Sequence, residues 1–267
     1  MKTDALMEKI KGWTEQLAAQ LKEGHTQGLV TFLERAGRFH RYSYHNTLLI
    51  LMQQPNATLV AGLKRWNELG RRVKKGERAI AILAPTLKRE ERVDEITGEV
   101  RVVQRLVSFH TAYVFDISQT EGEPVEIKDR NPQGAEVYGR LRRACPVPVE
   151  EQLMPEGFFG KTDGKRIFLA SVQSPTAKAE TLLHEWAHTL LHFDEARRGA
   201  QVEELEAEAT AFVVGRELGL PMQGSRDYIL QWQGGVEGLE GSLERIMRAA
   251  REILACIQGH EIALAAA

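Results

Sequence analysis

The sequence predicts an α+β fold divided into two domains, and three observations lead to that prediction. Segments with apolar residues at helical spacing alternate with short apolar runs typical of strands. The 267 residues, 43% hydrophobic and 27% charged, suit one large domain or two small ones. A polar stretch containing Gly and Pro follows residue 117, where the charge balance inverts. We therefore expect an N-terminal domain of helices and strands over 1–122, a linker over 123–132, and a mostly helical C-terminal domain with a small sheet over 133–267.

Composition excludes several classes of protein. No stretch approaches ~18 uncharged apolar residues, so no membrane-spanning segment is expected. The N-terminal residues mix charges into an amphipathic pattern and lack the apolar core of a signal peptide. The two cysteines, Cys145 and Cys256, are too few for a disulfide framework. The expected location is the cytoplasm.

In the N-terminal domain, apolar spacing predicts helices over 5–22, 28–39, 43–55 and 62–69. Strands are predicted over 79–85, an isoleucine-rich run, and over 107–117, where apolar and polar residues first alternate. Residues 88–106, between these strands, indicate a charged hairpin that turns at Thr97–Gly98. A solvent-exposed arm is the favoured interpretation of this hairpin.

The C-terminal domain is predicted to contain a helix over 134–144, strands over 147–153 and 166–170, and a Gly-containing turn over 157–164. Ser174 and Pro175 then mark a helix start, with Ser as the N-cap and Pro at the first helical position. The helices that follow are expected over 175–193, 201–218 and 238–258.

The helix over 175–193 contains His184-Glu185-Trp186-Ala187-His188. Residues four apart lie on one face of a helix, so two imidazoles at this spacing can bind one ion at ~2.0–2.1 Å. Glu185 lies about 100° round the helix, close enough to hold a water beside that ion. The ligand types predict Zn²⁺, with Mn²⁺ as an alternative ion. The competing interpretation is a pair of exposed histidines on an ordinary amphipathic helix.

A catalytic zinc needs a third protein ligand and an open fourth position. The next helix offers Glu203, Glu204, Glu206 and Glu208. Among them we expect the ligand to be Glu208, whose apolar neighbours indicate an inward face, whereas Glu203 and Glu204 are expected to face outward. His192 is a rival, but it lies eight residues from His184, a rise of ~12 Å. A plain surface residue is the favoured interpretation of His192, ahead of a donor to one of the ligands.

These residues predict a hydrolytic mechanism. The ion would activate a water and polarise the scissile carbonyl. Glu185 would take the proton of the water and deliver it to the leaving amine. Tyr228 and His260 are candidates for stabilising the oxyanion, although packing or surface roles are the favoured interpretations. The expected substrate is a protein or peptide.

The N-terminal part is basic. Residues 1–117 carry a net charge of +6 and the remainder a net charge of −8. Basic residues interleaved with Phe39, Tyr42 and Tyr44 suit single-stranded nucleic acid, while a basic surface with the aromatics in the core explains them equally well. Trp66 is expected in the core. The candidate DNA contacts are Arg71, Arg72, Lys74 and Lys75.

Two sets of motifs resemble a known family. The segments HEWAHTLLH and ELEAEATAF resemble gluzincin-type metallopeptidases of the ImmA/IrrE and ArdC groups, and the resemblance implies Glu208 as the third ligand. The segments YSYHNTLLILMQ, WNELGRRVKKGERAIAILAP and YVFDISQTEG resemble the single-stranded-DNA-binding domain of ArdC-like antirestriction proteins, in the family's order. The arm over 88–106 departs from that pattern.

The resemblance implies a zinc-dependent metallopeptidase fused to a single-stranded-DNA-binding domain, which protects the incoming DNA of a mobile element against restriction. One alternative is an ImmA/IrrE-like regulatory protease that cleaves a repressor. Another is a DNA-binding module with a metal site that has no proteolytic role.

Overall fold

A computed structural model of the protein describes residues 2–39, 41–93, 100–124, 134–155, 157–193, 198–232 and 238–265. The helices are α1 Thr3–Lys22, α2 Gln27–Ala36, α3 Tyr44–Gln53, α4 Leu63–Glu68, α5 Gly134–Ala144, α6 Pro175–Leu191, α7 Ala200–Glu217, α8 Gln223–Gln231 and α9 Leu239–Ala265. The strands are β1 Val60–Ala61, β2 Arg71–Val73, β3 Ile80–Val93, β4 Val100–Asp116, β5 Thr120–Gly122, β6 Val149–Gln152, β7 Gly160–Thr162 and β8 Ile167–Ala170. The predicted α+β class is confirmed.

The chain forms two compact units. The first contains Met1–Gly12 and Leu48–Val125, and the second contains Trp13–Thr47 and Glu126–Ala267. Residues 13–47, which the charge pattern grouped with the N-terminal domain, thus pack within the second unit. There the Thr26 hydroxyl donates to the Leu230 carbonyl at 2.8 Å. The predicted division at 122 and the linker over 123–132, most of which lies outside the described residues, stay predictions.

Strand pairing organises the first unit. β1, β4 and β3 form one antiparallel sheet, and β2 pairs antiparallel with β5. The buried carboxylate of Asp116 closes the end of β4, accepting from the amides of Thr58 at 2.7 Å and Leu59 at 3.1 Å. Trp66 is fully buried, as predicted, and its indole donates to the Phe115 carbonyl.

The charged hairpin is an extension of the predicted strands. β3 and β4 stay paired from Ile80 opposite Val114 to Val93 opposite Val100, with one irregularity at Thr86 and Leu87. The predicted turn at Thr97–Gly98 lies outside the described residues. Most side chains of the arm that the structure describes, such as Lys88 and Leu106, are exposed, in agreement with a solvated arm.

The second unit packs helices beside a small sheet in the order β6-β8-β7. β6 runs parallel to β8, and β7 runs antiparallel to it. Two of its elements were missed. The segment predicted as a turn over 157–164 contains β7, and α8 was not predicted, because short elements carry too few residues to show a periodicity.

Within the part of the chain that the structure describes, no helix is both long and apolar enough to cross a membrane.

Candidate metal centre

The helix α6 positions the motif histidines. Its start is fixed by Ser174, whose hydroxyl accepts from the Ala177 amide at 3.2 Å, with Pro175 in the first turn. One side of the helix is anchored in the core by residues such as Leu183 and Trp186, which are fully buried. The motif histidines lie on another side and keep part of their imidazole surface exposed.

The two histidines of the motif converge as the sequence predicted. Nε2 of His184 and Nε2 of His188 lie 3.1 Å apart. Two ligands of a tetrahedral ion at about 2.0–2.1 Å are about 3.3 Å apart, so the spacing fits one ion. Glu204 joins them: its two carboxylate oxygens lie 3.2 Å from Nε2 of His188 and 3.6 Å from Nε2 of His184. The atoms of these three residues form a group that could hold a metal ion.

The position of Glu204 corrects the sequence analysis, which placed it on the outer face of its helix. Glu204 and Glu208 are four residues apart on α7, so they share one face. Oε1 of Glu208 lies 3.3 Å from Nδ1 of His184. The side chain of Glu208 is 20% exposed and that of Glu204 is 45% exposed. Both carboxylates therefore reach the histidines, with Glu204 nearer the solvent.

An unsatisfied nitrogen supports the fit of a cation. Nδ1 of His184 is buried and has no hydrogen-bond partner among the described residues, although Glu208 lies close to it. Buried polar atoms are nearly always hydrogen-bonded, so this nitrogen is a second position on the ring, beside Glu208, at which His184 could bind a cation. Two histidines and two carboxylates are the donor types that Zn²⁺ and similar divalent ions take.

The pKa values of the carboxyl groups in the site shift in opposite directions. Burial raises the pKa of Glu185 above its ordinary value, and the nearby histidines oppose this only in part. The hydrogen bond with His188 lowers the pKa of Glu204. Burial works against ionisation of Glu208 too, but contact with His184 outweighs it and lowers the pKa. Burial would lower the pKa of His184, and the carboxylate of Glu208 reverses this and raises it. Glu185 is thus the carboxyl group shifted towards the behaviour of a general base.

Glu185 borders the edge strand β7. A Cβ atom at Gly160 would lie 2.8 Å from Oε1 of Glu185 and 2.6 Å from the Thr181 methyl group. The glycine therefore lets the strand backbone approach the carboxyl group closely.

Tyr228 lies on α8 and is half-buried. Burial, together with the negative charges of Glu204 and Glu208, raises its pKa, so the phenol keeps its proton. The structure thus places a hydroxyl donor within the electrostatic influence of the two carboxylates. The side chain of His260, the other candidate, lies outside the described residues.

His192 is not a surface residue, which corrects the favoured interpretation of the sequence. Its side chain is 3% exposed, and Nδ1 of His192 lies 2.9 Å from Nδ1 of His188. On its other side, Nε2 lies 3.2 Å from Oε2 of Glu206, which is fully buried. The carboxylate of Glu206 also accepts from the Ser242 hydroxyl and the Arg245 guanidinium of α9. The four-residue step from His188 to His192 was visible in the sequence, whereas Glu206 and its partners on α9 were not.

The basic candidates of the first unit divide into two kinds. Arg71 donates to the carbonyls of Thr120 and Glu123 across β2 and β5, and Nζ of Lys74 donates to the Ser118 carbonyl at 2.8 Å. Arg72 and Lys75 are exposed. Backbone carbonyls thus already engage Arg71 and Lys74, which leaves Arg72 and Lys75 as the better placed of the four for an external anion.

The aromatic residues of the basic segment support the core interpretation. Phe39 and Tyr44 are buried, and Tyr42 is half-buried. Phe109 and Tyr113, on β4 of the first unit, are in contrast about half exposed, at 48% and 51%. They are four residues apart on a strand and so face the same side.

Comparison with known families assigns both parts of the chain. Residues 150–237 match the IrrE N-terminal-like domain of the M78 peptidase family, a stretch that contains the motif histidines, Glu204 and Glu208. The C-terminal part is therefore an M78 peptidase-like domain. Residues 2–115 match the N-terminal domain of the anti-restriction factor ArdC. The chain thus combines, in this order, an ArdC-like N-terminal domain and an M78 peptidase-like domain.

Individual relatives are distant. An uncharacterized Bacillus anthracis protein, pXO2-81, is 24% identical over 258 residues, and the match covers 79% of this chain and 44% of that protein. The chain thus spans less than half the length of this relative. The metal-free crystal structure of the antirestriction protein ArdC from the R388 plasmid aligns with a TM-score of 0.50 and 21% identity, over 81% of this chain and 84% of that one. The Mn(II)-bound structure gives a TM-score of 0.48, with 18% identity over 82% and 84% of the two chains.

Proposed function

We propose that the chain is a metallopeptidase whose ion is held by His184, His188 and a carboxylate of α7. The observation that carries the proposal is the convergence of Nε2 of His184 and Nε2 of His188, with two carboxylates of α7 close to the same rings and a buried Glu185 beside them. An M78 peptidase domain over the same residues supports it. By ligand type the ion is Zn²⁺, and Mn²⁺ is the alternative.

The third ligand that we propose is Glu208. It is more buried than Glu204, and a hydrogen bond from Ser225 of α8 contributes to its lowered pKa. Ligating carboxylates are commonly oriented by such hydrogen bonds. Glu204 is the competing candidate, because it lies nearer to Nε2 of both histidines. One ion cannot bind both nitrogens of the His184 ring, so the choice of carboxylate also decides the choice of nitrogen.

The remaining residues act on the peptide and the water. A bound divalent ion supplies Lewis acidity for a water and a scissile carbonyl. Glu185, with its raised pKa, takes the proton of the water and passes it to the leaving amine. Tyr228 keeps its proton and is the candidate donor to the oxyanion.

Replacing Glu185 with Gln tests the proposal. The substitution keeps the shape of the side chain and removes the proton acceptor, so peptide cleavage should fall by ~10²–10⁴-fold while the bound metal stays at the wild-type level. Glu203→Gln on α7 is the control, and it should change neither quantity. Cleavage by Glu185→Gln at the wild-type rate would contradict the role of Glu185.

We also propose that the first unit binds single-stranded DNA. Exposed Arg72 and Lys75 offer charges to phosphates, and the exposed rings of Phe109 and Tyr113 offer faces on which bases can stack. The match of residues 2–115 to the ArdC N-terminal domain supports the proposal.

A double variant tests the DNA contacts. Arg72→Ala with Lys75→Ala should weaken the binding of single-stranded DNA several-fold without loss of stability, since both residues are exposed. A matched control, Arg143→Ala with Lys165→Ala, removes two exposed charges from the second unit and should leave the affinity unchanged. Arg71→Ala should instead lower the free energy of unfolding, because Arg71 bonds to carbonyls of β5 and the residue after it. Equal affinities for the two double variants would contradict this assignment.

The biological role that we propose is protection of the incoming DNA of a mobile element against restriction, in the cytoplasm. The ArdC-like domain order supports this role. Cleavage of a repressor protein is the alternative that shares the same chemistry, and DNA binding with a non-proteolytic metal site is the alternative that does not. If antirestriction in cells survives Glu185→Gln, the non-proteolytic alternative gains.

A further inference from the structure

A chain of buried hydrogen bonds leads from the motif histidine His188 to the far side of α7. Nδ1 of His188 meets Nδ1 of His192 at 2.9 Å, and Nε2 of His192 meets Oε2 of Glu206 at 3.2 Å. The side chains of His192 and Glu206 are 3% and 0% exposed. The contact between His192 and Glu206 is therefore shielded from the water that weakens surface hydrogen bonds.

The partners of Glu206 determine which atom donates in each of these hydrogen bonds. The Ser242 hydroxyl donates to its Oε1 at 2.7 Å, and Nε of Arg245 donates to the same oxygen at 3.0 Å. A guanidinium has no acceptor atom, and a carboxylate between these groups acts only as an acceptor. The hydrogen between His192 and Glu206 must therefore belong to Nε2 of His192.

That proton leaves Nδ1 of a neutral His192 as an acceptor. The contact between the two Nδ1 atoms then needs its hydrogen on His188. With Nδ1 of His188 protonated, its Nε2, which faces His184 and Glu204, has the lone pair available for an ion. The acceptor role of Glu206 thus determines, through His192, which nitrogen of His188 has a free lone pair.

We propose that His192 is a positioning residue that, held by Glu206, fixes the ring orientation and the Nδ1–H tautomer of His188. The proposal rests on the proposed metal site and adds to it a group that does not touch the ion. It also gives a physical role to a histidine that the motif leaves out. Metal-binding histidines usually donate their second N–H to such a partner, and loss of that partner typically costs 10–100-fold in metal affinity.

Two measurements on the full chain test the proposal. In the metal-free wild type, nitrogen-15 NMR of labelled histidines should show a proton on Nδ1 of His188 and on Nε2 but not Nδ1 of His192. In zinc titrations against a competing chelator, His192→Phe should bind about 10–100-fold more weakly than the wild type. The control is His25→Phe, which removes an exposed histidine beside the carboxylate of Glu23 and should bind zinc as the wild type does.

The outcomes separate this proposal from the proposed function. A proton on Nδ1 of His192, or a folded His192→Phe that binds zinc as tightly as the wild type, would overturn the role of His192. If His192→Phe does not fold, the wild-type tautomers decide. If His188→Ala binds zinc as the wild type does, the metal site itself fails, and the tautomers of the metal-free protein still show whether His192 orients His188.

Discussion

At the scale of single residues, the candidate metal site contains two carboxylates that are one helical turn apart and face different histidine nitrogens. Glu204 faces the Nε2 atoms of both histidines, and Glu208 faces Nδ1 of His184. A carboxylate that binds the ion and one that only orients an imidazole contribute very differently to affinity. Replacing Glu204 and Glu208 one at a time therefore shows which carboxylate binds the ion.

We expect Glu208→Ala to lower the bound metal far more than Glu204→Ala does. Loss of a direct ligand removes a bond to the ion, whereas loss of a neighbouring anion weakens the binding only by about 10–100-fold. Metal analysis of purified wild type and both variants measures the effect, with Glu203→Ala as the control. The reverse order would make Glu204 the third ligand.

The sequence predicted the convergence of the motif histidines because the step of four residues is a local property of a helix. It missed the inward position of Glu204, although the same rule applied to Glu204 and Glu208 on α7. Burial of His192 could not be predicted from its own helix, because its partner Glu206 and the donors on α9 are remote in sequence. Contacts between elements need the tertiary structure.

At the scale of elements, Glu206 ties three helices of the second unit together. It accepts from His192 at the end of α6 and from Ser242 and Arg245 on α9, while its own backbone belongs to α7. Burial opposes its ionisation, but these hydrogen bonds prevail and lower the pKa of Glu206 to about 2. A buried carboxylate that loses its partners is strongly destabilising.

This pKa predicts how stability depends on acid. The ordinary pKa of a glutamate is 4.5 and the folded value is about 2, so the folded state gains stability above the ordinary value and loses it as the pH falls towards 2. The free energy of unfolding of the wild type should fall by up to about 3 kcal/mol through this group. Urea unfolding at a series of acid pH values, compared with Glu206→Gln, measures the contribution. Parallel pH profiles of the two proteins would contradict it.

The helices were more predictable than the strands. Ser174 and Pro175 predict the start of α6 from the local sequence alone. In the structure the Ser174 hydroxyl accepts from the Ala177 amide, as an N-cap does. The strands β2 and β5 have three residues each, too few to show an alternation of apolar and polar residues. They are defined by their pairing with each other. Such pairs become visible only when the chain is folded.

At the scale of the whole molecule, the net charge of −2 hides a division between a basic part of +6 and an acidic part of −8. The exposed pair Arg72 and Lys75 belongs to the basic part, and the candidate metal site belongs to the acidic part. A binding function and a catalytic function can therefore have different electrostatic surroundings in one chain.

If the basic part binds single-stranded DNA through phosphates, affinity should fall steeply with salt. The logarithm of the affinity should decrease linearly with the logarithm of the salt concentration, by about 0.7 for each phosphate neutralised. Arg72→Ala with Lys75→Ala should therefore reduce the slope by about 1.4. Fluorescence titrations of the full chain at several salt concentrations measure it, and binding that ignores salt would contradict the electrostatic interpretation.

The glutamates at every second position of α7 limit where this helix can accept an insertion or a deletion. Residues 204 and 208 face the histidines of the motif, while residue 206 points to α9. Deleting one residue of α7 before Glu204 would turn every later side chain by about 100°. Glu206 would then lose its guanidinium at the same time as Glu208 left the site. An insertion or deletion early in α7 would therefore disturb the candidate metal site and the packing of α7 against α9 together, whereas a single substitution changes one of these contacts at a time.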